Sequence, residues 1–300
     1  MKRIATFLVV LLVGVSAIYF TERRRDSTPV SANAVVEVAA DAQRDLTRLP
    51  MRLTRLSDQA EVAIGNELAQ QYSIDNEKLS PEELALDAYI RRVGNTVAAH
   101  AHRRVPYSFH LLPSHSVINA FSLPGGPVYV GEGLVDVITS EDELAAVLAH
   151  EIEHIDHYHC AERVQIEARL RNLNLGIVGS LVQIPITVWE AGYNKDEELE
   201  ADREGMRLAV LAGYSPYGAV TMFEKFAKLH KEYIIHAQTP EEELSELAIQ
   251  SLEGYFRSHP ESSERLAQAN ALIARERWQD RKVQKSFRVE YEVHNGQYAK

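Results

Sequence analysis

The chain has 300 residues, of which 45% are hydrophobic and 25% charged, so it is long and apolar enough for one large or two small globular domains. Its formal net charge of -11 excludes a general nucleic-acid-binding protein, because neutralising phosphates needs a basic surface. The single cysteine, Cys160, excludes an intramolecular disulfide and a Cys-rich zinc knuckle. The glycines and prolines follow no period that would indicate a repeat protein.

Residues 1–20 are expected to be a signal sequence or a membrane anchor. After Lys2 and Arg3, no charged residue occurs from Ile4 to Phe20, a run near the lower length limit for crossing a bilayer. Arginines follow closely, at Arg23 to Arg25, where a signal peptidase substrate normally avoids positive charge, and this favours an uncleaved anchor. The membrane is therefore an expected partner, and the expected location is membrane-anchored or exported, in the periplasm or cell envelope.

A mainly helical domain is predicted over residues 56–278. Residues 21–55 are polar and are expected to be a linker, and residues 279–300 are expected to be a C-terminal tail. The predicted elements are helices at 57–72 and 82–102, strands at 107–112, 117–123 and 128–130, and helices at 141–168, 195–212, 216–233, 241–256 and 261–278. The expected fold class is therefore α+β, mainly helical, with one small sheet.

The helix predicted at 141–168 carries the most informative motif, which is formed by His150, Glu151 and His154. Two histidines four residues apart on a helix differ by ~40° of rotation and ~6 Å of rise, so both imidazoles can reach one tetrahedral zinc ion. Glu151 then projects beside the metal, where it can hold and deprotonate the attacking water. The motif predicts a zinc hydrolase with one Zn²⁺ per chain.

The residues after His154 exclude the metzincin class of zinc peptidases, which requires glycine and a third histidine where this chain has His157 and Cys160. His157 lies on the helical stripe of the two histidines but too far along a straight helix to close the same site. It is interpreted as a neighbour of the site or a solvated side chain. His159 and Cys160 are expected to point elsewhere, with Cys160 a small buried residue.

A third ligand is expected from the acidic helix predicted at 195–212. Glu198 and Asp202 share one face of this helix, so Glu198 can bind zinc while Asp202 accepts the second ring N–H of a ligand histidine and fixes its tautomer. Glu197 and Glu200 are the alternative ligands. A solvated acidic face is the simpler interpretation of such a run, but the upstream histidines favour a metal site.

These motifs resemble the zinc metallopeptidases of family 48, which include the CAAX prenyl protease, mitochondrial inner-membrane stress proteases and the bacterial β-barrel assembly-enhancing protease. The resemblance covers roughly residues 57–276. It rests on the segment from Asn119 to Gly126, on His150, Glu151 and His154, on the segment from Glu198 to Asp202, and on His259-Pro260 with Arg265. It implies a gluzincin-type catalytic domain in which His150, His154 and Glu198 bind zinc, Glu151 is catalytic and Asp202 supports a ligand.

The resemblance also implies roles for residues away from the metal-binding helix. Asn119, Ala120 and Phe121 are expected to lie on an edge strand beside the cleft, where an extended substrate can pair through its backbone. His259 is expected near the metal, as a catalytic group or as a residue that keeps the enzyme latent. Arg265 is expected to stabilise the oxyanion of a tetrahedral intermediate. A turn residue at Asn119, a loop histidine and a surface arginine are the alternative interpretations.

The predicted function is zinc-dependent hydrolysis of peptide bonds in unfolded or misassembled envelope proteins, and this substrate class follows from the resemblance alone. A polypeptide is the expected partner, and nucleic acid is not. The alternative is a non-cleaving, zinc-stabilised chaperone or adaptor that binds client segments on the edge strand. The intact Glu151 argues against that alternative, because a protein that does not cleave needs no general base.

Overall fold

In a computed structural model of the chain, the described residues are 55–74, 76–170, 193–236, 259, 263–282 and 285–287. The described residues from Leu56 onward belong to one compact unit. The predicted anchor at 1–20, almost all of the predicted linker, the helix predicted at 241–256 and most of the predicted tail lie outside the described residues. No helix within those described ranges has the length and apolar content of a membrane span.

The described part of this unit contains eight α-helices and three β-strands, which confirms the predicted α+β, mainly helical class. The helices are α1 (Asp58–Ala69), α2 (Pro81–Ala98), α3 (Glu132–Val137), α4 (Glu141–Asp156), α5 (His159–Leu170), α6 (Lys195–Leu211), α7 (Tyr217–His236) and α8 (Ser263–Arg275). The strands are β1 (Ser108–Leu112), β2 (Ala120–Ser122) and β3 (Pro127–Gly131).

The two helices that carry the candidate metal ligands begin at side-chain caps. The Ser140 hydroxyl accepts from the backbone N–H of Glu143 at 3.2 Å at the start of α4. At the start of α6, Asn194 and Glu197 form a capping box, each side chain accepting from the other's backbone N–H at 3.0 Å. The Glu197 carboxylate therefore turns back toward the beginning of its helix.

The central element of the unit is α4. Its apolar positions Leu144, Leu148, Ile152 and Ile155 are fully buried, and most of its other side chains are buried as well. The helix packs against α2, α6 and α7 and against strand β2. A polar group on α4 therefore faces protein on nearly every side and needs a specific partner.

The sheet has the strand order β1-β3-β2, with β1 parallel and β2 antiparallel to β3. The turn between β2 and β3 requires glycine, because Gly125 and Gly126 have φ angles of 75° and 139°. Glu61 on α1 accepts from the Gly125 N–H at 3.0 Å and ties this turn to the core. Among the described strands, β2 has a neighbour on one side only.

The prediction of one continuous helix over 141–168 is wrong. The helix ends at Asp156, Tyr158 adopts a φ of 64°, and α5 starts afresh at His159. A side chain remote in sequence stabilises this break. Arg103 donates to the Ile155 carbonyl at 2.6 Å, and its guanidinium carbon lies 3.7 Å from the centre of the Tyr158 ring. No glycine or proline signals the break.

Arg103 also forms a buried ion pair that joins α1 to the end of α4. Its guanidinium donates to the two Glu61 carboxylate oxygens at 3.2 and 2.6 Å and to Asp58 at 2.7 Å. Its backbone N–H donates to Asp156 at 3.0 Å. Because the Glu61 side chain is fully buried, its charge depends on this arginine.

We expect Arg103→Met to lower the free energy of unfolding by about 3–5 kcal/mol, because Glu61 would keep a buried carboxylate without its cation. Urea titration followed by circular dichroism measures the change. The matched control is Arg104→Met, because Arg104 is exposed and its substitution should alter stability by no more than about 0.5 kcal/mol. Equal midpoints for the two variants would contradict the role given to Arg103.

Candidate metal centre

The three predicted metal ligands come together between α4 and α6. The Nε2 atoms of His150 and His154 lie 3.0 Å apart. Glu198 places Oε2 3.5 Å from Nε2 of His150 and Oε1 3.5 Å from Nε2 of His154. His154 and Glu198 are buried, and His150 is nearly so. Two imidazole nitrogens from α4 and the carboxylate of Glu198 from α6 therefore converge on one point.

This donor set fits a zinc ion. In a tetrahedral site with ligand bonds of about 2.0–2.1 Å, neighbouring donor atoms are separated by about 3.3 Å. The two histidine nitrogens are 3.0 Å apart, and each lies 3.5 Å from a different oxygen of the Glu198 carboxylate, which is close to that value. Two imidazoles and one carboxylate are also a donor set that zinc prefers in hydrolytic sites.

A glycine on α6 allows the two ligand-bearing helices to approach each other. A Cβ atom added at Gly205 would lie 3.0 Å from the backbone N and 3.1 Å from the Cα of His150. Such contacts are tighter than ordinary van der Waals packing, so a side chain here would force the helices apart. The absence of a side chain at Gly205 therefore sets the spacing between Glu198 and the histidines.

Asp202 lies where the sequence predicts it, behind His150. Its Oδ1 is 2.9 Å from Nδ1 of His150, on the side of the ring away from the other donors. Arg265 on α8 binds Asp202 through two hydrogen bonds, from Nε and Nη2, each 2.6 Å long. Burial alone would raise the pKa of Asp202, but Arg265 and His150 lower it, so the residue is a carboxylate.

Arg265 contacts carboxylates in this structure. Besides its two bonds to Asp202, its Nη1 lies 3.3 Å from Oε2 of Glu198. The side chain is buried rather than on the surface. The role in oxyanion stabilisation stays a prediction, and these contacts favour holding Asp202 and Glu198 in place.

The electrostatics of two of the candidate ligands, Glu198 and His154, suit metal binding. Burial would raise the pKa of Glu198, but His259, Arg265 and His154 hold it well below its usual value, so this ligand is ionised. Burial lowers the pKa of His154 well below its usual value, which keeps its imidazole neutral. An ionised carboxylate and a neutral imidazole are the forms that bind a cation.

Glu151 faces the same space from the next position on α4. Its carboxylate is buried, and Oε2 accepts a hydrogen bond from the Ser122 hydroxyl on β2 at 2.9 Å. Ser122 also lies 3.4 Å from the sulfur of Cys160. Cys160 is buried, as predicted, and burial raises the pKa of its thiol to about 12.

His259 belongs to the same cluster. Its Nδ1 lies 3.0 Å from Oε1 of Glu198 and 3.3 Å from Nε2 of His150, and its Nε2 lies 3.4 Å from Oε1 of Glu151. Its donor atom and those of His150, His154 and Glu198 all lie within 4.8 Å of one another. His259 therefore lies between these donor atoms and the carboxylate of Glu151.

Sequence reasoning missed two aromatic neighbours of His154. The ring of Tyr193 stacks on it at 3.7 Å between centroids, and Nδ1 of His159 lies 2.9 Å from its Nδ1. The prediction that His159 points elsewhere is wrong, because that prediction followed a continuous helix and the break at Tyr158 turns the residue back. For Tyr193, which precedes the cap of α6, no motif marked the position.

The predicted substrate strand lies beside Glu151. Because Asn119 accepts from the Gly131 N–H and Phe121 pairs with Tyr129, the alternate residue Ala120 directs its backbone N–H and C=O away from β3. Ala120 is buried, whereas the half-buried Phe121 stacks on Tyr129. The buried Oδ1 of Asn119 has no hydrogen-bond partner among the described residues.

An apolar cavity adjoins the metal donors. His150 and Glu151 form part of its wall, and side chains from α6 and α7, among them Met206, Met222 and Phe223, form the rest. His150 and Glu151 therefore lie at the edge of a space suited to an apolar side chain.

A family model for peptidase family M48 matches residues 84–273, a span that includes all of the described metal donors. The chain belongs to this family. Its members are zinc metallopeptidases, so the chain has a zinc metallopeptidase domain of the gluzincin type, as the motifs predicted.

Named relatives agree with the family assignment. The chain is 29% identical over 219 residues to the beta-barrel assembly-enhancing protease of Yersinia pestis, covering 66% of this chain and 44% of that protein. It is 29% identical over 170 residues to the mitochondrial metalloendopeptidase OMA1 of Arabidopsis thaliana, covering 54% and 31%. It is 32% identical over 125 residues to the metalloprotease LoiP of Escherichia coli K12, covering 38% and 49%. The chain thus spans less than half the length of each.

We expect Glu198→Ala to lower the affinity for zinc by more than the roughly 10- to 100-fold that follows loss of an outer partner, because it removes a ligand. Metal content after dialysis, measured by atomic emission, reports the loss. Glu197→Ala is the matched control, since that carboxylate caps its helix and should cost only about 1 kcal/mol of stability. Equal zinc retention by Glu198→Ala and wild type would exclude Glu198 as a ligand.

Proposed function

We propose that this M48 peptidase cleaves unfolded or misassembled proteins of the cell envelope, with one zinc ion per chain. The observation that carries the proposal is the convergence of His150, His154 and Glu198 beside the buried carboxylate of Glu151. The similarity to a relative named for β-barrel assembly supports envelope proteins as substrates.

In this mechanism, His150, His154 and Glu198 hold the zinc ion, which when bound supplies Lewis-acid polarisation of the scissile carbonyl. Glu151 takes the proton from the attacking water and returns it to the nitrogen of the leaving amine. Ser122 orients Glu151 for these transfers through its 2.9 Å hydrogen bond. Asp202 fixes the ring of His150 from behind, and Arg265 fixes Asp202.

Substrate binding is proposed to use the backbone of β2. Ala120 directs its N–H and C=O away from β3, which provides main-chain pairing that does not depend on the substrate sequence. The amide oxygen of Asn119 is the second proposed contact. Phe121 stabilises the strand by stacking on Tyr129, and the apolar cavity beside Glu151 would receive a substrate side chain.

The proposed location is the cell envelope, with the chain exported or anchored by residues 1–20. The apolar run after Lys2 and Arg3 supports this placement, and so does the similarity to a relative named for β-barrel assembly. The anchor would keep the peptidase domain next to its substrates.

We expect Glu151→Gln to lower kcat for casein cleavage by about 10²- to 10⁴-fold, because the amide cannot accept the proton, while zinc content stays at one per chain. The matched control is Glu153→Gln on the same helix. Glu153 is buried, its Oε2 lies 3.2 Å from Nε2 of His157, and it is not among the metal donors, so activity should persist. Full turnover by Glu151→Gln would defeat this mechanism, and retained client binding without any wild-type cleavage would favour the chaperone alternative.

The structure supports a closed, latent form of the enzyme, in which His259 occupies the position that substrate needs. Its Nδ1 lies 3.0 Å from Oε1 of Glu198 and 3.3 Å from Nε2 of His150, and its Nε2 lies 3.4 Å from Oε1 of Glu151. Ala120 is also buried, so a substrate strand has no access to it in this form. We therefore propose that His259 must withdraw before cleavage.

We expect His259→Ala to raise casein cleavage about tenfold, which corresponds to contacts that favour the closed form by ~1.4 kcal/mol. Initial rates at equal zinc loading measure the change. A matched control is His102→Ala, because His102 is highly exposed and lies outside the centre. A fall in kcat for His259→Ala, with the control unchanged, would instead assign His259 a catalytic role.

A further inference from the structure

The histidine that follows the helix break lies directly behind a metal ligand. Nδ1 of His159 is 2.9 Å from Nδ1 of His154, while Nε2 of His154 faces the other donors. On its far side, Nε2 of His159 lies 3.3 Å from Oε2 of Glu200 on α6. His159 is fully buried between these two groups. The contacts form a continuous line from the centre to Glu200.

The hydrogen atoms in this line have one consistent arrangement when His154 holds a metal. A neutral imidazole that binds through Nε2 carries its hydrogen on Nδ1, so His154 must donate to His159. Nδ1 of His159 is then the acceptor, and its own hydrogen lies on Nε2. That N–H points to the Glu200 carboxylate, which accepts it.

The positions of these hydrogen atoms also distinguish two possible roles of His159, as a hydrogen-bond partner of His154 or as the ligand of a second cation. Its side chain, with those of His157 and Glu200, also forms a cluster whose donor atoms lie within 4.8 Å of one another, a possible second cation site. Binding a cation there through Nε2 would leave His159 without a hydrogen on either nitrogen while Nδ1 still accepts from His154. That doubly deprotonated ring is unfavourable near neutral pH. The hydrogen-bonded line and a second ion therefore compete for Nε2.

We propose that His159, oriented by Glu200, is a positioning residue that fixes the tautomer and ring orientation of His154 and thereby tightens zinc binding. The inference rests on the proposed metal centre. Asp202 acts on His150 in the same way, but through a carboxylate in direct contact. The two imidazole ligands thus have different outer partners, and both partners lead to α6. Loss of such a partner weakens metal binding by about 10- to 100-fold.

Zinc affinity of the full-length chain, measured by competition with a chromophoric chelator, tests the proposal. His159→Leu removes the acceptor and should raise the zinc dissociation constant about 10- to 100-fold. His159→Asn places an amide oxygen near the position of Nδ1 and should restore most of the affinity. His157→Leu is the matched control, because His157 is a third exposed and contacts Glu153 and Glu200 rather than a ligand. Its dissociation constant should stay within about twofold of wild type.

Long-range ¹H–¹⁵N correlation spectra of the zinc-loaded chain give a readout that needs no variant. They should show the hydrogen of His154 on Nδ1 and that of His159 on Nε2. A hydrogen on Nδ1 of His159, or equal zinc affinity for His159→Leu and His157→Leu, would overturn the proposal. If the wild-type chain binds two zinc ions and both His159→Leu and His157→Leu bind only one, the proposal is wrong and these residues form a second metal site. If the wild-type chain does not bind zinc, or if His150→Ala binds it as tightly as wild type, the proposed metal centre itself is wrong.

Discussion

The buried pairing of Arg265 with Asp202 ties three helices to one centre. Arg265 lies on α8, Asp202 on α6, and the imidazole behind which Asp202 sits belongs to α4. Arg265 also lies close to Glu198, so one guanidinium balances two carboxylates that would be costly to bury alone. These contacts position the candidate ligands and also join α4, α6 and α8. The geometry of the centre therefore depends on the packing of these three helices.

The parts of the site that the sequence predicts are those fixed by the geometry of a single helix. The four-residue spacings of His150 with His154 and of Glu198 with Asp202 place each pair on one face. In the structure the two faces meet, with carboxylate oxygens of Glu198 3.5 Å from Nε2 of His150 and of His154. Glu197 instead caps its own helix, an interaction that the three-residue spacing of Asn194 and Glu197 is typical of.

The parts that the sequence does not predict depend on residues remote along the chain. The break after α4 lies at Tyr158, which is neither glycine nor proline, and is stabilised by Arg103 from the segment before β1. His159 owes its place to that break, so helical periodicity assigned it to the wrong side. The hydrogen bond from Ser122 to Glu151 likewise depends on β2 packing against α4, a contact that no local pattern encodes.

The close approach at Gly205 makes the distance between two helices a part of the coordination chemistry. Elsewhere on an α-helix an added methyl group is usually a mild change, and alanine even favours the helical conformation. Here the methyl would press on the backbone of His150, and the helices would have to separate by a few tenths of an ångström. The carboxylate of Glu198 would move away from His150 and His154 by a similar amount. Gly205 therefore sets the distance between the candidate ligands although it has no side chain to bind a metal.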